Sequence, residues 1–354
     1  MKSKITYSSS GVDYNKLDPL KKLAQTLAKS TSKNSDIKAV EQSRGEPAFV
    51  WEEEDCFRAF VIESLGTKNL IADEMRKVTG KTYYDSLAQD TVAMIINDLI
   101  SVGAKPQVIN AYFAAGSSDW FADSQRAKDL TAGWANACKL AGAVWGGGES
   151  PSLSGIISPQ TGELAGAAIG IIKPKTRLIL GDKMKAGDAI LMIESSGVHA
   201  NGISLIRRIA QDLDDGFREE ILTPTYIYAK LVEDLFAGGI EIHYMVNITG
   251  HGWRKLMRAN RDFSYVITDI PPIPPIFDFI QKKGQLSDKE MYETFNMGAG
   301  FAIYLPAEQV GKAQQIITKN NLKSWHAGEI QVGERQVVIK SKNITFAGKS
   351  LDLR

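Results

Sequence analysis

Two aspartates and an asparagine interrupt an otherwise apolar segment between Asp90 and Asp98, which constrains the fold more than any other segment. On a helix, Asp90, Met94, Asn97 and Asp98 share one face, because residues three, four, seven and eight apart align. The other positions are mainly Val, Ile, Leu and Ala, which predicts a buried helix. Buried carboxylates require a cation or hydrogen-bond donors. The segment therefore predicts either a divalent-cation site or a set of bracing contacts, and alone it leaves both interpretations open.

The charge balance and the cysteine content limit the expected partners and location. The chain has 42 Lys and Arg against 41 Asp and Glu, a formal net charge of +1, so we expect neither a nucleic-acid nor a membrane partner. Its apolar runs are shorter than the ~20 residues of a membrane-spanning helix, and its N-terminal segment lacks the apolar core of a signal peptide. With Cys56 and Cys138 as the only cysteines, the sequence favours a cytoplasmic protein that acts on a small molecule.

Alternating helix and strand patterns predict an α/β fold of two domains, which 354 residues with 44% hydrophobic content can form. Residues 1–45 are polar and lysine-rich and are interpreted as a mobile N-terminal arm with one amphipathic stretch. The two domains are expected at residues 46–172 and 173–354. The patterns predict strands at 57–62, 108–114, 164–172, 188–194, 301–305 and 337–340, and helices at 91–102, 127–141, 202–212 and 226–237.

Two glycine-containing clusters of the first domain suit phosphate or metal binding. Gly66, Thr67 and Lys68 follow a predicted strand, where glycine permits close backbone approach and the lysine can neutralise a phosphate oxygen. A second strand is predicted to enter a glycine turn that contains Gly147 and presents the Glu149 carboxylate. Ordinary turns would explain the same glycines.

Two polar clusters of the second domain offer further donors. Residues 195–204 join a predicted strand to a predicted helix, whose N-terminal amides would suit an anion, although a simple capped turn has the same composition. Residues 243–252 contain two of the four histidines of the chain, at a spacing that does not match a zinc site. The candidate residues in these clusters are Ser196, His199, Asn201, Asn247, Thr249 and Gly250.

Taken in order, the clusters resemble the phosphoribosylformylglycinamidine cyclo-ligases, also called aminoimidazole ribonucleotide synthetases. This resemblance implies two α/β domains, the first of which pairs with its dimer mate to build a β-barrel across a homodimer interface. The motifs span nearly the whole chain, and their order makes the resemblance specific. The matching segments are residues 10–13, 66–68, 90–106, 147–149, 195–207, 222–228, 248–250 and 290–298.

The resemblance implies an ATP-dependent carbon–nitrogen ligase of purine biosynthesis. In this family, formylglycinamidine ribonucleotide and ATP give aminoimidazole ribonucleotide, ADP and phosphate. The formyl oxygen attacks the γ-phosphate of ATP, and the amidine nitrogen then displaces the phosphate from the resulting imidate. Such a transfer depends on neutralising phosphate charge, for which Mg²⁺ and its oxygen ligands are suited.

By this resemblance, Asp90, Asn97, Asp98 and Glu149 are predicted to bind Mg²⁺, directly or through water. His199 is predicted to assist proton transfer, because imidazole titrates near neutrality, although a structural histidine is the rival interpretation. Lys68 and Asp98 complete the predicted catalytic set. The residues predicted to bind ATP or substrate are Gly66, Thr67, Lys68, Gly147, Glu149, Ser196, Asn201, Asn247, Thr249 and Gly250.

Departures from the family pattern leave alternatives open. Glu63 stands where the family has aspartate, Ser152 replaces a second carboxylate, Asn247 replaces a histidine, and His251 replaces a glycine. One alternative is a related ATP-dependent enzyme that acts on another amide or phosphate acceptor. Another is a non-catalytic nucleotide-binding paralogue, against which the retained motif residues weigh.

Overall fold

A computed structural model describes residues 14–209 and 215–351, and it has the mixed α/β architecture that the sequence predicts. The strands of the described residues form two sheets. The first sheet has the order β1-β2-β3-β6-β4-β5, and all neighbours are antiparallel except the parallel pair β4 and β5. Its strands are β1 (Lys38–Ala39), β2 (Phe49–Glu52), β3 (Phe57–Ser64), β4 (Lys105–Ala115), β5 (Val144–Glu149) and β6 (Gly162–Ile172).

One face of the first sheet is covered by helices and the other is open. Side chains alternate between the two faces of a strand, so in β3 Ala59 and Val61 are buried while Phe60 and Ile62 are exposed. Two long helices, α3 and α5, pack against each other, and α3 lies on the buried face. The helices of this half are α1 (Tyr14–Ser30), α2 (Lys68–Thr79), α3 (Tyr84–Ile100), α4 (Ser118–Ala122) and α5 (Ser124–Ala141).

The second sheet has the order β13-β12-β9-β11-β7-β10-β8. Its central strands β7 and β10 are buried along almost their whole length, which explains why their sequences are continuously apolar instead of alternating. The strands are β7 (Asp188–Glu194), β8 (Tyr244–Asn247), β9 (Phe263–Ile267), β10 (Ala299–Pro306), β11 (Ser324–Val332), β12 (Gln336–Ile339) and β13 (Ile344–Ala347).

Shorter helices surround the second sheet, and one of them, α8, joins it to the first half by packing against α3 and α5. A 3-10 helix, Gly252–Met257, follows β8 and packs against α10. The remaining helices are α6 (Ile203–Ile209), α7 (Asp215–Ile221), α8 (Ala229–Ala237), α9 (Pro275–Gly284), α10 (Asp288–Thr294) and α11 (Val310–Lys319).

Three local predictions need correction or completion. The predicted glycine turn around Gly147 is wrong, because these glycines lie inside β5, where a side chain at Gly148 would collide with the backbone of Ala111. The helix predicted at 226–237 begins only at Ala229, since the preceding backbone bonds to a side chain of α3. The helix predicted at 202–212 covers 203–209 of the described residues, and residues 210–214 lie outside them. Within the N-terminal arm, the amphipathic stretch forms α1.

Candidate functional site

A cavity of about 300 Å³ lies where α1, β3 and α3 of the first half meet the segment that follows β8 in the second half. Both halves therefore contribute to its wall. Four of the residues that the sequence predicts for the site line this cavity: Asp98, Asn201, Thr249 and Gly250. The other residues that line it are Asp18, Lys21, Lys22, Gln25, Gly45, Glu46, Pro47, Glu63, Met94, His251, Lys255 and Arg258.

Two carboxylates, from Asp98 on α3 and Glu63 on β3, line this cavity together. Asp98 is buried, and its Oδ1 accepts a hydrogen bond from the Asn247 side-chain amide at 2.7 Å. Burial and the neighbouring Asp98 charge raise the pKa of Glu63 to about 7. The cations Lys255 and Arg258 oppose this rise. Glu63 therefore holds its proton more tightly beside the Asp98 charge until a cation offsets the repulsion.

A buried lysine faces the carboxylates. Lys255 Nζ donates a short hydrogen bond to Thr249 Oγ1. Burial lowers the pKa of Lys255 to about 8, although the attraction of Asp98 partly offsets that shift. Lys255 keeps its charge at neutral pH. The cavity thus combines two carboxylates, which suit a divalent cation, with a buried ammonium that suits an anionic ligand.

His251 also lines the cavity but carries no charge there. Burial and the nearby cations Lys255 and Arg254 lower its pKa to about 2. Asn201 contributes a side-chain amide that contacts the Met94 sulfur at 3.7 Å. Both side chains provide neutral polar groups on the wall of the cavity.

Lys68 and Asp90 form a separate, fully buried ion pair with a distance of 2.7 Å between Nζ and Oδ2. Lys68 Nζ also donates to the backbone carbonyls of His199 at 3.0 Å and Thr223 at 3.1 Å. Asp90 Oδ1 accepts from the backbone N–H of Thr225 at 2.9 Å and from its hydroxyl at 2.5 Å. This pair binds a segment of the second half and does not line the cavity.

Asn97, which lies about two turns along α3 from Asp90 and directly before Asp98, continues the same set of contacts. Its Nδ2 donates to the Tyr226 carbonyl at 2.8 Å, and its Oδ1 accepts from the Tyr228 N–H at 3.0 Å. Because its side-chain donors and acceptors are engaged in this way, residues 223–228 are held against α3. Asp90 and Asn97 thus make the bracing contacts that were one of the two interpretations of this helix.

We call the contacts that Lys68, Asp90 and Asn97 make with residues 223–228 the brace. His199 and Ser196 belong to this brace as well. The His199 imidazole accepts a hydrogen bond from the Ser196 N–H at 3.2 Å through Nε2, and Ser196 Oγ donates to the Pro224 carbonyl at 2.7 Å. Burial and the charge of Lys68 lower the pKa of His199 to about 3. The imidazole is therefore neutral at physiological pH.

The remaining predicted residues lie away from the cavity lining. Gly66 and Thr67 precede α2, where Gly66 has a φ of 72° and donates its N–H to Glu163 at 3.4 Å. Gly147 and Glu149 lie on β5, at the edge of the first sheet, and Glu149 is exposed. The structure brings neither pair next to Asp98.

Sequence reasoning missed three of the charged residues that line the cavity: Lys255, Arg258 and Glu46. Lys255 and Arg258 are three residues apart around the 3-10 helix Gly252–Met257, a spacing that puts two cations on one face. Glu46 accepts a hydrogen bond from the Tyr244 hydroxyl at 2.6 Å, a contact between positions far apart in the sequence. Among the described residues, no group of three or more His, Cys, Asp or Glu side chains is arranged to hold a metal on its own.

Comparisons with known proteins identify the family. The family model described as "AIR synthase related protein, N-terminal domain" matches residues 46–172, and the corresponding C-terminal domain model matches residues 185–341. A phosphoribosylformylglycinamidine cyclo-ligase of Methanocaldococcus jannaschii is 34% identical over 338 residues, which cover 92% of each chain. The chain belongs to the phosphoribosylformylglycinamidine cyclo-ligase family. A cyclo-ligase of Carboxydothermus hydrogenoformans is 36% identical over 291 residues, 78% of this chain and 81% of that one.

More distant solved structures share the fold of this cyclo-ligase family member. The crystal structure of a HypE–HypF complex has a chain that matches with a TM-score of 0.64 at 16% identity, covering 87% of this chain and 93% of that one. AaThiL, solved with AMPPCP and TMP, matches with a TM-score of 0.61 at 14% identity and covers 91% of this chain and 93% of that one. At these identities the likeness establishes the fold.

None of the helices in residues 14–209 and 215–351 combines the length and the apolar character that a membrane span requires.

Proposed function

We propose that this protein is an ATP-dependent cyclo-ligase that converts formylglycinamidine ribonucleotide to aminoimidazole ribonucleotide, with release of ADP and phosphate. The observation that carries the proposal is the cavity itself, which joins Asp98 from the first half to Thr249 and Gly250 from the second. The reaction requires the phosphates of ATP and the formyl oxygen of the second substrate in one place. A cavity built from both halves meets that requirement.

Magnesium fits the residues that line this cavity. Mg²⁺ is commonly bound by one or two carboxylates together with substrate phosphate oxygens, and Asp98 and Glu63 provide two such carboxylates. The raised pKa of Glu63 reflects its burial and its repulsion by Asp98, and a bound cation would offset that repulsion. When bound, Mg²⁺ supplies charge neutralisation during phosphoryl transfer.

The cations of the cavity take the phosphate-binding role that the sequence assigned to Lys68. Lys68 is fully buried in its pair with Asp90, whereas Lys255 lines the cavity and remains charged below its pKa of about 8. We assign Lys255 and Arg258 to the negative charge of ATP. Thr249, which already accepts a hydrogen bond from Lys255, then fixes the position of that ammonium.

The brace around α3 has a positioning role in this proposal. Asp90, Asn97 and Lys68 hold residues 223–228 of the second half, which fixes the two walls of the cavity relative to each other. The neutral, buried His199 forms part of this brace. Proton transfer is therefore assigned to substrate or solvent groups in the cavity, and direct Mg²⁺ binding to Asp98 and Glu63.

The open face of the first sheet supports a homodimer. Five apolar or aromatic residues are exposed there on β3, β4 and β5, and an apolar area of this kind usually marks a protein interface. These residues are Phe60, Ile62, Val108, Tyr112 and Val144.

The two cysteines of the chain, Cys56 and Cys138, are buried and unpaired, which agrees with a location in the reducing cytoplasm.

A substrate-dependent ATPase assay tests the proposed function. The purified protein is expected to release ADP in step with aminoimidazole ribonucleotide, and only when formylglycinamidine ribonucleotide, ATP and Mg²⁺ are all present. ADP release that requires Mg²⁺ and a different amide would assign the chain another acceptor. Tight ATP binding with no acceptor-dependent release would instead support a non-catalytic nucleotide-binding protein.

A further inference from the structure

A second cavity, of about 580 Å³, lies along α2 and is larger than the first. It also spans both halves of the molecule, because α2 packs against α6 and α7 of the second half. None of its lining residues is shared with the first cavity. Four basic residues line it, Arg76, Lys77, Arg126 and Arg207, against two acidic residues, Asp73 and Glu74.

Two of these cations are already engaged by the protein. Arg76 makes a two-pronged contact with Asp123, at 3.2 Å for the longer bond. Arg126 donates through Nη1 to the Trp120 carbonyl at 2.9 Å, and its guanidinium lies 4.7 Å from the centre of the Trp120 ring. These contacts hold both guanidinium groups rigidly in the cavity wall.

Donor capacity remains at three of the four cations. Arg126 Nε is buried and has no hydrogen-bond partner among the described residues, and such an N–H is costly unless a ligand or water accepts from it. Neither Arg207 nor Lys77 forms a hydrogen bond or an ion pair within the described part of the chain, and Arg207 is half-buried. A half-buried guanidinium that makes no ion pair is a ready partner for a planar or tetrahedral oxyanion.

Of the two acids, Asp73 is the one whose charge interacts with the cations Arg126, Arg76 and Lys77. Asp73 accepts a hydrogen bond from the Tyr84 hydroxyl at 3.1 Å, and burial raises its pKa. Glu74 is exposed to solvent. The cavity therefore keeps a net positive charge.

We propose that this second cavity binds a phosphate ester, with its phosphate held by Arg207, Arg126 and Lys77. The volume accommodates a sugar phosphate or a nucleoside monophosphate, and the polar residues Gln160 and Thr161 offer partners for hydroxyl groups. Because Arg207 comes from the second half and the other two from the first, the ligand joins the two halves. It therefore stabilises the arrangement that also shapes the first cavity.

Calorimetric titration of the full chain tests this site. Ribose 5-phosphate, AMP and inorganic phosphate are titrated separately, with a non-hydrolysable ATP analogue and Mg²⁺ saturating the first cavity. At least one ester is expected to bind once per chain with a Kd below about 1 mM. Arg207→Gln should weaken that binding by about tenfold or more through loss of a charge-assisted contact. Arg208→Gln, which removes the same charge from a neighbouring position outside the cavity, should weaken it by less than about twofold.

The same experiment can overturn the site. If no phosphate compound binds while the ATP analogue is present, or if both arginine variants weaken binding equally, the cavity is not a phosphate-ester site. Binding of inorganic phosphate as tightly as either ester would reduce it to a simple anion site. Lys77→Gln gives an independent check, since Lys77 is exposed and its replacement should leave folding unchanged. It is expected to weaken ester binding as well.

Discussion

Asp90 and Asp98 lie on the same helix face two turns apart, yet the structure predicts opposite consequences for neutralising them. Asp90→Asn leaves the ammonium of Lys68 fully buried without a counter-charge. Breaking a buried ion pair on one side typically costs about 3 to 5 kcal/mol. For a urea dependence of about 1 to 3 kcal/mol per molar, the unfolding midpoint should fall by about 1 M or more.

Asp98→Asn should behave in the reverse way. Asparagine still accepts the hydrogen bond from Asn247, and loss of the charge removes the repulsion that Glu63 experiences. The urea midpoint should stay at or above that of the parent. Turnover should fall by about 100-fold or more, since a metal ligand contributes several kcal/mol to transition-state stabilisation.

Urea unfolding followed by fluorescence, together with the ADP-release assay, separates the two outcomes. The double variant Lys68→Met with Asp90→Leu is the matched control, because apolar replacement of both partners of a buried pair is often tolerated. It should be more stable than Asp90→Asn alone. The bracing role of Asp90 would be refuted if Asp90→Asn unfolded at the parental midpoint while losing its turnover. A large loss of stability in Asp98→Asn with normal turnover in the folded fraction would refute the metal-binding role of Asp98.

Three further outcomes follow from the cavity, the brace and the open sheet. The pKa of Glu63 is raised from 4.5 to about 7, so its contribution to the free energy of unfolding is complete below pH 4.5 and is lost as the pH rises through 7. Over this range Glu63→Gln should become more stable than the parent, by up to about 3 kcal/mol. If the parent were equally stable at pH 5 and pH 7.5, the raised pKa would be contradicted. His199→Asn keeps a residue that tolerates the observed φ of 59°, and it should retain turnover within about tenfold with no change in the pH–rate profile between pH 5.5 and 7.5; a loss of three orders of magnitude at unchanged stability would restore a catalytic role. In light scattering, the parent should have the mass of a dimer. Ile62→Asp, which changes a position that is 68% exposed in the single chain, should have the mass of a monomer. A monomeric parent would rule out the proposed interface.

The sequence alone determined the features that depend on local pattern. Local patterns predicted strands at β7 and β10, and the apolar surroundings of the 90–98 segment predicted the buried helix α3. These predictions succeed because burial imposes a periodicity that neighbouring residues carry themselves. The order of the motifs also indicated the cyclo-ligase family, which the comparisons confirm.

Only the tertiary structure decided what each polar side chain of α3 contacts. Asp90 and Asp98 lie on the same face of α3, but Asp90 meets Lys68 and Thr225, whereas Asp98 meets Asn247 and the cavity. The partners are more than 130 positions away for Thr225 and Asn247, and nothing in the local pattern distinguishes them. Lys255 reaches the same cavity from the 3-10 helix after β8. The packing of the second half along α3 therefore determines which carboxylate braces the molecule and which faces a ligand, because charge and burial depend on the neighbours that the fold supplies.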